Sequence, residues 1–261
     1  MDLCLLSAAP ESSSSGFATS LAAILGILAR RPTLLVDLSN RPQQTRNALG
    51  LNDAKGTEAL LDQYIRANDL TADDVRQQIV SYVISTDTNL AGRGFGFLAG
   101  PVKYTPQYED RLAAQRGVEF ADLLVDRLAE LVYEHVVVDI GNTLDTLRGI
   151  TLTNRAKLLV VVYEDEALLK KWTKGKEIVK RLRDVKIATC ESRAKFAFPD
   201  EHFVTSLVSS SQYYERAAAR FALEWAEVLR PSIAAKLTDG QNNRLQPHRG
   251  LLQTLARALI S

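Results

Sequence analysis

Five short apolar runs punctuate the chain: Leu3 to Leu6, Thr33 to Val36, Phe95 to Leu98, Val136 to Ile140 and Leu158 to Tyr163. Each is bounded by polar or turn residues and several are rich in valine, which predicts strands buried on both faces. Helical spacing lies between them. The clearest stripe is Phe120, Leu123, Leu124, Leu128 and Leu131, interrupted by Arg127. A second carries Leu168, Trp172, Val179 and Leu182, and a third Tyr214, Ala217, Phe221, Trp225 and Val228. Thr71 followed three positions later by Asp74 forms a capping-box-like helix start before Val75 and Ile79. Strand and helix alternate throughout, which predicts an α/β fold: right-handed crossovers and a mostly parallel sheet with helices on both faces.

At 261 residues the chain suits one large α/β domain, placed at 1–236. From 237 to 248 the residues Asp239, Gly240, Gln241, Asn242, Asn243 and Pro247 break all periodicity and read as a linker. A short amphipathic segment follows at 249–261. Hydrophobic residues at 46% and charged residues at 24% are ordinary for a globular chain and argue against general disorder. With 32 basic and 31 acidic residues the net charge is +1, so attraction to DNA or anionic lipid must come from local clusters. Cys4 and Cys190 both lie in apolar, strand-like stretches and are expected as buried thiols of a cytoplasmic protein. The apolar run from Gly16 to Ala29 is preceded by Asp2 and followed by Arg30 and Arg31, the wrong polarity for a secretory signal, and is too short to span a bilayer.

In open parallel sheets ligands bind beyond the carboxyl ends of the strands, so the loops after Leu6, Val36, Leu98, Ile140 and Tyr163 are the places to look. The first reads Ser7-Ala8-Ala9-Pro10-Glu11-Ser12-Ser13-Ser14-Ser15-Gly16-Phe17-Ala18-Thr19-Ser20-Leu21-Ala22 and runs from a strand into a helix. It resembles the loop of the ParA/MinD superfamily of deviant-Walker P-loop ATPases, KGGxGK[ST][ST] before a helix whose first turns end in NLA. With Ser20-Leu21-Ala22 on that NLA, Ala9 falls at the signature lysine, Pro10 and Glu11 at the paired glycines, Ser13 at the third glycine and Ser14 at the phosphate lysine. Both lysines are absent. Ser15 matches the position whose hydroxyl coordinates magnesium in the family.

The same resemblance continues along the chain, from about residue 2 to residue 230. Leu34-Leu35-Val36-Asp37-Leu38-Ser39 is similar to the family's LLVDxD strand, with Ser39 replacing the second carboxylate. Val136-Val137-Val138-Asp139-Ile140-Gly141 is similar to its [VI]IIDxPP segment, with Asp139 at the Walker-B-like position and Gly141-Asn142 in place of the prolines. Phe97-Leu98-Ala99-Gly100-Pro101 resembles the LPAG-like strand end of the CpaE/TadZ-like pilus-assembly branch. The order of Leu60 to Ala67, Ala72 to Ile84 and then this strand is similar to that branch as well.

A P-loop cradles phosphate because glycines let consecutive backbone N–H groups turn inward and lysine neutralises the β- and γ-phosphates. Here serines replace glycines, Pro10 removes a donor and Glu11 adds negative charge beside the anion. Losing the lysine alone costs several kcal/mol of stabilisation during transfer, on the scale of single electrostatic contacts. The expectation is a pseudo-ATPase with a degenerate nucleotide site at Ser12, Ser13, Ser14, Ser15, Gly16, Asp37 and Asp139, no catalytic residue and no cofactor. A serine-rich turn at a helix N-terminus still offers free N–H groups to an anion, which leaves ATP with magnesium as the alternative. Read blandly, Ser12 to Ser15 are a helix cap and turn, and the two aspartates are inherited strand-end residues without an ion.

Gly92, Gly94 and Gly96 form a GxGxG pattern that enters a strand rather than leaving one, so it is read as a turn and not a dinucleotide fingerprint. His135, His202 and His248 lack ligand spacing, and no metal site is expected. The segment 168–184 carries Lys170, Lys171, Lys174, Lys176, Lys180, Arg181 and Arg183 against Glu177 and Asp184. It is a solvated face or, as the resemblance implies, a surface for DNA or a partner protein centred on Lys170, Lys171, Lys174, Lys180 and Arg181. The segment from Arg249 to Ile260 could lie on a membrane like the MinD terminal helix; packing on its own domain or a partner is the competing reading.

The preferred expectation is therefore a non-catalytic ParA/MinD-like scaffold or positioning protein for pilus, secretion or envelope machinery. It would have protein partners, could form a homodimer, and would be cytoplasmic or peripheral to the inner face of the membrane, with contact to DNA or membrane an open option. The alternatives are an ATPase whose lysine comes from Lys103 or a second subunit, and a DNA-associated partition factor.

Overall fold

The structure is a computed structural model that describes residues 1–8, 14–23, 25–26, 31–49, 51, 54–83, 94–156, 158–163 and 186–191. The expected segments 168–184, 214–228, 237–248 and 249–261 lie outside the described residues.

The chain order is β1 (Asp2–Ala8), α1 (Ser15–Ala23), β2 (Thr33–Asp37), α2 (Pro42–Leu49), α3 (Gly56–Ala67), α4 (Ala72–Gln78), β3 (Val80–Val83), β4 (Gly94–Leu98), α5 (Pro106–Ala113), α6 (Gln115–Ala129), β5 (His135–Asp139), α7 (Leu147–Arg155), β6 (Leu158–Tyr163) and β7 (Lys186–Glu191). The described strands form one seven-stranded sheet in the order β3-β4-β2-β5-β1-β6-β7. All neighbours are parallel except β3 and β4. The five apolar runs are five of these strands, and the stretch holding Cys190 is β7.

Alternation along the strands divides the core into two layers. Leu3, Leu5, Leu34, Val36, Val136, Val138, Leu159 and Val161 join one cluster with Leu60, Leu61, Phe120, Leu124, Leu128 and Leu152 from α3, α6 and α7. The intervening residues Cys4, Leu6, Leu35 and Val137 are equally buried on the opposite face. There α1 runs against β2, β4 and β5. The helix stripe containing Leu124 and Leu128 is buried as its spacing predicts. Arg127 leaves it to donate to the Leu70 carbonyl and to pair with Glu130 at 2.6 Å.

The capping box at Thr71 forms in full: the Asp74 amide donates to the Thr71 hydroxyl at 3.2 Å, and the Thr71 amide donates to the Asp74 carboxylate at 2.9 Å. The helix it starts is shorter than expected. It ends at Gln78, Ile79 is extended (φ −81°, ψ 125°), and the segment to Val83 is an antiparallel strand absent from the sequence reading. Valine and tyrosine at alternate positions favour the strand, and Tyr82 stacks on Phe95 at 5.3 Å.

The reading of the glycine pattern as a turn is corrected, because Gly94 begins β4 and Gly96 lies within it. A Cβ on Gly94 would stand 1.8 Å from the Tyr82 carbonyl oxygen, so the small residue is needed where β3 crowds β4. Gly92 lies outside the described residues. His135 begins β5 and is buried, while His202 and His248 lie outside the described residues.

Candidate functional site at the carboxyl end of the sheet

Parallel pairing places the carboxyl ends of β2, β5 and β1 side by side, and the N-terminus of α1 returns over them. Asp37 and Asp139 are register partners across β2 and β5. Hydrogen bonds stitch the strand exits together: the Leu38 amide donates to the Asp139 carbonyl at 2.8 Å, the Ile140 amide to Leu6 at 2.9 Å, and the Ala8 amide to Gly141 at 2.7 Å. The Ser7 hydroxyl adds a bond to the same Gly141 carbonyl at 3.0 Å.

Ser14 and Ser15 reach Asp139 from the start of α1. The Ser15 hydroxyl donates to Oδ2 at 2.7 Å, the Ser14 hydroxyl donates to Oδ1, and the Gly141 amide donates to Oδ1 at 3.0 Å. All three side chains are buried. Ser14 accepts the first helical bond through its carbonyl, from the Ala18 amide at 2.9 Å, and so stands at the N-cap. Gly16 is buried in the first turn. Ser12 and Ser13, with Ala9, Pro10 and Glu11, lie outside the described residues, as do Lys170, Lys171, Lys174, Lys180 and Arg181.

Asp37 is held differently. Its Oδ1 accepts from the Ser39 amide at 2.9 Å and the Ser39 hydroxyl at 2.7 Å, a local turn that bends the chain out of β2. Its Oδ2 is buried and has no hydrogen-bond partner among the described residues. Burial, with the Asp139 carboxylate beside it, pushes the Asp37 carboxyl up to about 7, against the opposing pull of Ser39 and the nearby Arg46 guanidinium. Asp139 is raised by burial as well, and the Ser14, Ser15 and Gly141 bonds hold it back.

Two features of this end of the sheet escaped the sequence. Arg46 on α2 is buried and donates to the carbonyls of Leu51 (3.4 Å), Ala54 and Gly100, tying the segment after α2 to the exit of β4. Gly141 takes φ +56°, where a Cβ would lie 2.6 Å from Asn40 Oδ1, and Asn40 in turn donates to Asn142 at 2.8 Å. No local pattern marks Arg46, because its partners are backbone carbonyls of two other loops. Gly141 was visible only as the residue replacing a proline. Lys103, offered as a substitute lysine, is exposed.

The donor set is oxygen only: two carboxylates and two hydroxyls, chemistry that suits a hard cation such as magnesium. Ser14, which the sequence resemblance puts at the phosphate lysine, gives its hydroxyl to Asp139. Among the described residues there is no group of three or more His, Cys, Asp or Glu side chains able to hold a metal.

No protein-family model and no curated protein matches the sequence. Solved structures do. A ParA family ATPase from Chlorobium tepidum TLS superposes with a TM-score of 0.58 at 15% identity, covering 85% of this chain and 98% of its own. The fold is that of the ParA/MinD-like P-loop ATPases. Cobyrinic acid a,c-diamide synthase from Mycobacterium smegmatis is similar too (TM-score 0.56, 15% identity, 88% and 96% covered). So is a plasmid partition protein from Borrelia burgdorferi B31 bound to AMPPNP (TM-score 0.54, 13% identity, 86% and 98% covered). At such identities the ParA/MinD-like likeness concerns the fold alone. Among the described residues no helix is long and apolar enough to cross a membrane.

Proposed function

We propose that the chain is a non-catalytic scaffold or positioning protein on a ParA/MinD-like fold, serving the assembly of pilus, secretion or envelope machinery. The observation that carries this reading is Ser14. The sequence resemblance puts it at the place of the phosphate lysine, and its hydroxyl is buried against Asp139. Ala9 stands where the second lysine would reach a partner's nucleotide, so ATP has no cation with which to control dimerisation. The fold then contributes a rigid sheet and its surfaces, and any oligomer is constitutive. The basic segment containing Lys170, Lys174 and Lys180 is the surface proposed for an acidic partner protein, and charge reversal at these three lysines is expected to abolish that contact.

Titration calorimetry with ATP and magnesium, beside sedimentation with and without nucleotide, tests the proposal. Millimolar or undetectable binding with an unchanged oligomer supports it. Micromolar binding, about −8 kcal/mol, together with ATP-dependent dimerisation overturns it.

A further inference from the structure

Among the described residues β3 is the terminal strand of the sheet, and β4 is its one neighbour. Val80 and Tyr82 are half-buried, whereas Ser81 and Val83 are exposed, Val83 to 49%. Among the described residues no backbone hydrogen bond beyond the β4 ladder involves this strand. Edge strands are commonly guarded by charge or proline. This one is not: Ile79-Val80-Ser81-Tyr82-Val83-Ile84 contains neither.

We propose that β3 pairs antiparallel with β3 of a second copy of this chain, joining two sheets across a twofold axis at Ser81. A twofold normal to the sheet keeps each face on its own side, so opposed positions must be both odd or both even. Centring on Ser81 sets Ser81 against the partner's Ser81, Val80 against the partner's Tyr82, and Ile79 against the partner's Val83. Ile79 is already extended and can take part. Each opposition is one that sheets favour: hydroxyl with hydroxyl, β-branched with aromatic, β-branched with β-branched. Centring on Tyr82 instead would set Ser81 against valine. The exposed Val83 thereby gains an apolar partner, and the match of the strand to itself favours a second copy over an unrelated extended peptide. β3 lies four strand positions from β1, so this contact leaves the start of α1 open and owes nothing to nucleotide. Four residues make a short ladder, and the dimer is correspondingly weak, of roughly micromolar affinity.

Sedimentation of the full chain over a concentration series, with Ser81→Lys, Ser81→Glu and their equimolar mixture, decides the matter. The parent chain should dimerise reversibly with or without ATP. Each variant should weaken the dimer by about tenfold or more with an unchanged melting temperature, because like charges then face each other on the axis. The mixture should restore dimers by pairing lysine with glutamate. Ser81→Cys should form an intermolecular disulfide on mild oxidation, since opposed residues in such a ladder lie within disulfide reach. A parent chain that stays monomeric, a dimer indifferent to Ser81→Lys, or a mixture that fails to recover overturns the proposal. A dimer that forms only with ATP would instead refute the non-catalytic reading, so the two failures are distinct.

Discussion

Asp37 and Asp139 face each other in register at the ends of β2 and β5, both buried, yet Asp139 has donors on both oxygens while Asp37 has them on one. Two adjacent buried carboxylates cannot both ionise without cost. Burial and the neighbouring Asp139 carboxylate raise the less satisfied Asp37.

That arrangement sets a pH dependence. The folded Asp37 titrates at about 7 against 3.8 for the free side chain, so the native state binds more protons than the unfolded chain between those values. Stability is therefore fully present below about pH 4, falls as the pH rises toward 7, and levels off above it. The raised Asp139 adds in the same direction. Asp37→Asn keeps an acceptor for Ser39 and removes the charge, so it should flatten the slope and raise stability above pH 7 by on the order of a few kcal/mol. Urea midpoints between pH 5 and 8 measure this. A midpoint that climbs with pH, or an unchanged slope in the variant, contradicts it.

Arg46 should matter more to stability than its place on a short helix suggests. Arg46→Met leaves the carbonyls of Ala54 and Gly100 without a donor, and such buried losses cost about 1–3 kcal/mol each. The expected total is about 3–5 kcal/mol, read from denaturant midpoints. Arg46→Lys should recover only part of it, because an ammonium cannot fork between carbonyls of separate loops.

Gly141→Ala tests the hinge between the two aspartate loops. A side chain at φ +56° is strained and its Cβ would press on Asn40 Oδ1, so a loss of about 1–3 kcal/mol is expected. Asn142→Ala, which removes only the exposed bond to Asn40, should stay within about 0.5 kcal/mol. Equal effects of the two substitutions would mean that Gly141 owes nothing to its backbone conformation.

Much of this was legible in the chain, for identifiable reasons. The central strands are uninterrupted apolar runs because both faces are covered, and the Thr71 cap is written in two residues three apart. The meeting of Ser14, Ser15 and Asp139 was implied by the family resemblance, which sets the strand ending in Asp139 beside the one that leads into the serine turn. β3 was missed because four residues alternating beside a helix end give no run to notice, and their partner strand begins only at Gly94. α5 went unread despite Thr105 before Pro106, a cap with proline at the first helical position. The raised pKa of Asp37 could not be read at all, because it depends on burial and on a second carboxylate about a hundred residues away in sequence.

A lysine restored at Ser14 should not restore turnover. Ser14→Lys supplies an ammonium at the phosphate-lysine position, but it also removes a hydroxyl that donates to Asp139 and places a cation beside that carboxylate. The ammonium should pair with Asp139 rather than await phosphate, because the attraction acts in a buried, low-dielectric site. Pro10 and Glu11 still stand where two glycines would let the backbone close around an anion, and Ala9 still lacks the charge that reaches a partner's nucleotide. The variant is therefore expected to release no phosphate from ATP above the protein-free background and to keep the sedimentation behaviour of the parent. A phosphate-release assay with magnesium at millimolar ATP measures the first, and parallel runs with and without ATP the second. If the single change restored turnover or ATP-dependent assembly, the loop would be a functional P-loop lacking one residue, and the scaffold reading would fall.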